Sequence, residues 1–415
     1  MIQPLETIRR QFPALNRRHA GRTVAYFDGP GGTQVPEPVA DAVREYLLGH
    51  NANTHWGFPT SAETDELIEG ARSAMADLLG GSPDEIVFGP NMTTLTFQLA
   101  RALGRGFPPG SEVVVTELDH RANVDPWLDM ARMWNFEVRS VPFHLESGTL
   151  DMRALETAVN ERTRLIAVGG ASNALGTVND LAAVRRLARD RNCLLFVDAV
   201  HSTPHLPVNV AQLECDALAC SPYKFYGPHI GVLWVRRSLL DSLPVSKLLP
   251  ASDRSPERME TGTLNHEGIA GALAAVEFLA SLDAEPGSRR ERLGRVMREL
   301  HARGALLAER MWNGLASIEG VRVFGPAPGT APRTPTMSFV LQGLPSADVS
   351  HRLADEHGIF CSHGDFYATD VARCLGVAEV GLVRAGAACY TSLAEVDRLI
   401  AGVGSIARET GGDRS

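Results

Sequence analysis

Short, almost wholly apolar runs alternate with amphipathic stretches between residues 85 and 235, and this alternation limits the chain to one class of fold. The runs are Glu85–Phe88, Glu112–Thr116, Phe136–Pro142, Leu165–Val168, Leu194–Asp198, Ala217–Cys220 and Gly231–Val235. A strand apolar at nearly every position is one buried on both faces. Between the runs, Asp151–Asn160 and Leu181–Arg191 place apolar residues at three- and four-residue spacing, the period of a helix with one buried face. Strands alternating with helices predict an α/β fold with a mostly parallel sheet covered on both sides, whose strand-end loops bind ligands. The pattern changes after about Gly268. Ile269–Leu282 and Arg289–Leu315 read as helices, split by the break Asp283-Ala-Glu-Pro-Gly287. A second, α+β unit follows, with strands near Val321–Phe324, Thr336–Leu341 and Gly381–Ala385 and a last helix from about Leu393 to Ala407. The polar tail Glu409–Ser415 is expected to fray. The expected division is an N-terminal segment (1–22) packing on the small domain, a large domain (23–285) and a small C-terminal domain (286–415).

Composition removes several classes of function. With 40 basic and 49 acidic residues the net charge is −9, spread without long single-sign blocks. Nucleic acid and anionic membranes call for a basic footprint, so neither is an expected partner. The most apolar stretch, Leu194–Val200, is interrupted by Asp198, and no run is long enough to cross a bilayer. Glu6, Arg9 and Arg10 stand where a signal peptide needs an apolar run. Six cysteines form no CxxC pair. The expectation is a soluble, reduced, cytoplasmic protein.

One segment concentrates chemistry: Ser221-Pro-Tyr-Lys-Phe-Tyr-Gly-Pro228. Lys224 sits in a tight loop between two strands, hemmed in by aromatic, proline and glycine residues. A lysine in a partly dry site has a lowered pKa and can form a Schiff base. Alone, it would read as a surface lysine in a hairpin. Upstream, however, Asp198 ends an apolar strand, and a buried carboxylate needs a partner. A pyridinium nitrogen is such a partner, which pyridoxal phosphate would supply. In Glu117-Leu-Asp-His-Arg-Ala-Asn-Val-Asp-Pro-Trp127, His120 can stack on a flat ring, move a proton or cap a turn. Gly89-Pro-Asn-Met-Thr-Thr94 feeds a helix whose free N–H groups suit a phosphate, though Asn and Thr are also ordinary caps. Asp28-Gly-Pro-Gly-Gly32 is not a dinucleotide fingerprint and is expected to shape a turn near the site. Asp355, His357, Cys361, His363 and Asp365 lack the paired spacings of zinc ligands, so no metal is expected.

In this order the segments resemble the class V, fold type I pyridoxal-phosphate enzymes, in the cysteine desulfurase and selenocysteine lyase branch, from about Tyr26 to Leu399. The resemblance implies a large domain with a seven-stranded sheet, a smaller α+β C-terminal domain, and a homodimer whose sites draw on both subunits. It makes Lys224 the Schiff-base lysine and Asp198 the pyridinium partner. His120 becomes the ring-stacking histidine, and His201 replaces a glutamine that hydrogen-bonds the cofactor. Asn173 would contact cofactor and substrate. Met92, Thr93 and Ser221 would bind the cofactor, with Tyr223 replacing a phosphate-binding histidine. Thr263 would reach the partner subunit's phosphate, and Arg384 would hold the substrate carboxylate as a bidentate pair.

The departure from the family lies in Gly358-Ile-Phe-Cys-Ser-His-Gly-Asp-Phe-Tyr367. Aligned on the desulfurase pattern, Tyr367 takes the nucleophilic cysteine's place, Cys361 falls about six residues earlier, and Ser362 replaces a second arginine. The resemblance is therefore to a desulfurase-like subgroup carrying Gly-x-Phe-Tyr-Ala. The expected function is a lyase that eliminates a β- or γ-substituent, of the C–S type, from an α-amino acid without forming a persulfide. The alternatives are an aminotransferase, an epimerase, a C–C bond-forming enzyme, or a true desulfurase using Cys361.

Overall fold

In the computed structural model, which describes residues 2–412, seven strands form the central sheet: β1 (Ile86–Gly89), β2 (Glu112–Thr116), β3 (Glu137–Val141), β4 (Thr163–Gly169), β5 (Leu194–Asp198), β6 (Ala217–Cys220) and β7 (Gly231–Val235). Their spatial order is β1-β7-β6-β5-β4-β2-β3. β3, β2, β4, β5 and β6 pair parallel, while β7 pairs antiparallel with both β6 and β1. The apolar runs become these strands because both faces are covered. Val114, Ile166, Val197 and Leu218 pack into one buried cluster; Val113, Ala167, Phe196 and Ala219, on the opposite face, pack into another. The boundaries shift by a residue or two from those expected. Glu85 belongs to a 3₁₀ turn, and β4 extends from Thr163 to Gly169.

The parallel strands all end at one edge of the sheet, so Thr116, Gly169, Asp198 and Cys220 come side by side there. Helix α1 (Met92–Gly106) starts at the same edge, capped by Asn91, whose side chain accepts from the Thr94 amide at 2.8 Å. β7 begins with a glycine because a Cβ at Gly231 would run into the backbone of Asn91.

A second sheet, wholly antiparallel, has the order β8 (Val321–Phe324), β9 (Thr336–Leu341), β11 (Leu382–Gly386), β10 (Ser362–Gly364). Helices α2 (Arg289–Ala316), α3 (Ser346–His357) and α4 (Leu393–Gly412) share its apolar core, which includes Met311, Phe339, Leu353, Val383 and Leu399. Helix α2 starts at a capping box, Ser288 with Glu291. The tail differs from expectation. Residues 409–412 continue α4, and Glu409 is ion-paired to Arg352 of α3; residues 413–415 of that tail lie outside the described residues. The N-terminal segment touches both halves. Phe12 packs edge-on against Tyr226, Phe278 and Tyr390, while Arg9 pairs with Glu395 at 2.8 Å. Among the described residues, no helix is long and apolar enough to cross a membrane.

Candidate active site

Between the carboxyl edge of the large sheet and the second sheet lies a cavity of about 640 Å³. Strand ends supply most of its chemistry. Asp198 closes β5, His120 follows β2, Asn173 follows β4, and Lys224 lies in the one-turn 3₁₀ helix Pro222–Lys224 after β6. Arg384 reaches in from β11, and Phe366 and Tyr367 come from the loop after β10. Met92, Thr93, His201 and Tyr223 complete the residues singled out in the sequence that line it. Two do not. Ser221 is fully buried just behind Tyr223, and Thr263 is exposed and lines a separate hollow with Gly89, Pro90 and Thr94.

Burial sets the charge states. Lys224 donates to the carbonyls of Pro30 and of Gly31 (3.0 Å) and packs over the Tyr223 ring. Desolvation, with Arg384 as a second positive charge, lowers its pKa to about 7. Asp198 is buried, accepts from the Val200 amide at 2.9 Å, and is pushed up to about 6 by desolvation. His120 is lowered to about 4 by burial and by the charges of Lys224 and Arg384. Its Nδ1 accepts from the Ala122 amide at 3.0 Å, so the neutral ring carries its proton on Nε2. His201 is held well below the usual histidine range by burial, and its Nε2 meets the hydroxyls of Thr334 and Thr336 at 3.1 Å.

Arg384 is buried, and among the described residues no carboxylate makes a hydrogen bond to it. Its Nη1 donates to the Asn173 carbonyl at 3.0 Å and its Nε to the Ser362 hydroxyl at 3.2 Å, while Phe366 lies under its face at 4.1 Å. The Asn173 side chain donates to the Phe366 carbonyl at 2.9 Å. Tyr367 is 70% exposed and tilts toward His120, ring centres 5.5 Å apart.

Several lining residues were not assigned roles from the sequence, among them Asp119, Arg121, Phe97 and Phe366. Asp119 is the most unusual. Burial and the nearby Asp198 push it up to about 8, and it accepts from the Gly169 amide (2.7 Å) and the Asn123 side chain (3.2 Å). A Cβ on Gly169 would collide with it. Its position immediately before His120 was the only available signal. A second overlooked signal was lysine scarcity: the chain has two, Lys224 and Lys247.

The cavity's residues fit pyridoxal phosphate. They offer an amine of low basicity, a desolvated carboxylate for a ring nitrogen, a neutral imidazole for a ring face, and the start of α1 for a phosphate. Buried polar atoms without partners, Ser221 Oγ and Asn173 Oδ1, mark places where the protein alone leaves hydrogen bonds unmade. Of the five residues set aside as metal ligands, four make other contacts, while the buried Nε2 of His357 has no hydrogen-bond partner among the described residues. Asp355 pairs with His19, Asp365 accepts from Thr369, His363 packs edge-on against His351, and the Cys361 thiol faces Ser350 at 3.8 Å.

Comparison with known proteins agrees with this geometry. Residues 25–399 match the aminotransferase class-V family. A cysteine desulfurase of Pectobacterium atrosepticum is 33% identical, the alignment covering 99% of this chain and all of that one. A probable cysteine desulfurase of Streptomyces coelicolor is 31% identical over 96% of each. Among solved structures, the apo cysteine desulfurase from Thermococcus onnurineus superimposes with a TM-score of 0.88 at 29% identity, over 99% of both chains. Matched along nearly its whole length, the chain belongs to the aminotransferase class-V family and is a pyridoxal-phosphate-dependent enzyme.

Proposed function

We propose that this enzyme acts on an α-amino acid bearing a sulfur substituent and releases that substituent by elimination, without forming a persulfide on itself. The sulfur chemistry draws support from the relatives named cysteine desulfurase. The observation that carries the second half is the loop after β10. Tyr367 stands in the cavity beside His120, and among the described residues no cysteine lines it.

Bound pyridoxal phosphate supplies an electron sink for negative charge at the substrate's Cα. Lys224 Nζ would be its attachment point and the base for the Cα proton; burial lowers that amine to about 7, so a large fraction of it is neutral at neutral pH. Asp198 would hold the ring nitrogen in its protonated form, and His120 would lie against a ring face. Met92, Thr93, Ser221 and Tyr223 are assigned to the cofactor, with Asn173 and His201 at its edge. Arg384 binds the substrate carboxylate, which fixes which bond at Cα is cleaved. Tyr367 faces the departing group, to which its hydroxyl can donate. Thr263, exposed and away from this cavity, is assigned to a partner's cofactor in a homodimer. Leu48, Trp56 and Phe58, exposed within one short stretch, support such an assembly. We place the domain boundary near residue 285. Six free thiols favour a reducing, cytoplasmic setting.

The relatives' names favour a second reading, a desulfurase that uses Cys361. In the structure that thiol faces Ser350, and burial raises it to about 12. A persulfide route therefore needs the segment to rearrange. Incubating the purified holoenzyme with L-cysteine and S-alkyl cysteines separates the two. Elimination gives pyruvate, ammonia and a free thiol or sulfide. Alanine together with a protein-bound persulfide, found by mass spectrometry, would establish the desulfurase instead.

A further inference from the structure

The loop after β10 holds two consecutive non-glycine residues in the left-handed region, Phe366 and Tyr367, each at φ 57°. An L side chain seldom adopts this backbone, and it persists only where surroundings enforce it. Three hydrogen bonds from three places do so here. Asn173 Nδ2 donates to the Phe366 carbonyl (2.9 Å), the Arg121 amide donates to the Tyr367 carbonyl (2.7 Å), and the Tyr367 amide donates to Asp365 (3.0 Å). That backbone places Phe366 where its ring centre lies 4.1 Å beneath the guanidinium carbon of Arg384.

Arg384 is held in its own plane by the Asn173 carbonyl and the Ser362 hydroxyl, the latter facing it across the β10–β11 pair. Those two contacts leave the second terminal nitrogen without a protein partner among the described residues. They also leave the guanidinium free to tilt about their line. A ring on its face removes that freedom, and in a dry site the contact is attractive as well.

We propose that Phe366 is a positioning residue for Arg384, setting the plane in which its free edge meets a substrate carboxylate, and so makes the enzyme selective for amino acids over the corresponding amines. This rests on the assignment of Arg384 as the carboxylate anchor.

The test titrates holoenzyme with S-methyl-L-cysteine and, separately, with 2-(methylthio)ethylamine, which lacks only the carboxylate. Binding is read from the visible absorbance of the cofactor rather than from turnover. F366L should bind the amino acid about tenfold more weakly, the scale of a desolvated cation–ring contact, and the amine as wild type does. F366M, unbranched and also without the ring face, should match F366L, and F366Y should keep wild-type binding. Melting curves of the variants verify the fold, and F366M carries the test if F366L does not fold. Equal weakening toward both ligands, or none toward the amino acid, overturns the role of Phe366. R384Q separates the premises. If it retains the preference for the amino acid, the anchor assignment itself fails; if only the Phe366 variants retain it, the anchor stands and the positioning role falls.

Discussion

The two walls of the cavity are built differently. On the large-sheet wall every reactive group sits at or just past a strand end, and burial changes its acidity. Lys224 loses basicity, Asp198 gains it, and His120 stays neutral. On the opposite wall the loop after β10 offers two aromatic side chains held by strained backbone, one of them 70% exposed. The first wall supplies a dry, rigid set of groups able to manage charge at one carbon. The second is closer to solvent and would meet a substrate's side chain on the proposed reading. On the reading proposed above, the choice of product would fall to that second wall, which carries Tyr367 and, among the described residues, no cysteine.

Breaking the first wall should give the largest effects. Lys224→Ala should remove the visible band of lysine-bound cofactor and lower turnover by about a thousandfold or more, the scale of a lost base. With Lys247 as the only other lysine, borohydride reduction followed by peptide mapping gives a clean readout. Lys247 is engaged with Asp253 at 3.1 Å and the Ala251 carbonyl at 2.7 Å, and Lys247→Arg should leave the band intact. Asp198→Ala should keep some cofactor yet lose about a hundredfold in activity, as expected when one group stabilising developing charge is removed. Near-normal turnover would give that carboxylate another task.

The large-sheet wall was largely readable because each of its features is local. An apolar run ending in aspartate, or a lysine boxed in by aromatic residues and glycine, is visible within a few residues. The antiparallel direction of β7 is not local, since composition records burial and not polarity. Asp119 escaped notice because its acidity depends on the Gly169 amide and on Asp198, both far along the chain. Phe366 escaped for a similar reason, its partner Arg384 lying on another strand. The strained backbone at 366–367 carries no glycine to announce it. The last helix was read short because the ion pair between Arg352 and Glu409, which holds its end, spans two helices. Ser221 and Thr263 came from family pattern alone, and this chain's cavity includes neither.

A pH measurement sharpens the same wall with a smaller effect. A protonated amine cannot attack an aldehyde, so attachment of pyridoxal phosphate to the apoprotein should depend on the neutral fraction of Lys224. Its pKa is lowered, so the neutral form grows as pH rises, reaches half at about pH 7 and is nearly complete a unit above that, instead of above the ordinary lysine value. The attachment rate, followed by visible absorbance, should rise about tenfold per unit below pH 7 and level off above it. A rate still climbing steeply at pH 9 would mean that the amine is solvated like any surface lysine.

The smallest expected effect tests the second wall. Cys361→Ser should change turnover of an S-alkyl cysteine by less than about twofold, the range of a tolerated small substitution away from the chemistry. Cys361 lies beside the pairing of Phe360 with Tyr26, and its carbonyl accepts from Ser350 at 2.7 Å. Its thiol is packed against the apolar core of the second sheet, and burial keeps it protonated at neutral pH. A thiol in that state is a poor nucleophile. To reach the cavity it would have to trade that packing for contact with Lys224 while Tyr367, about six residues on, moved aside. A strand rises about 3.3 Å per residue, so a slip of one or two positions covers only a small part of that separation. Sulfide release from L-cysteine that disappears in Cys361→Ser, together with a mass shift of one sulfur on the wild-type peptide containing it, would show that the segment does rearrange and that the chain works as its named relatives do.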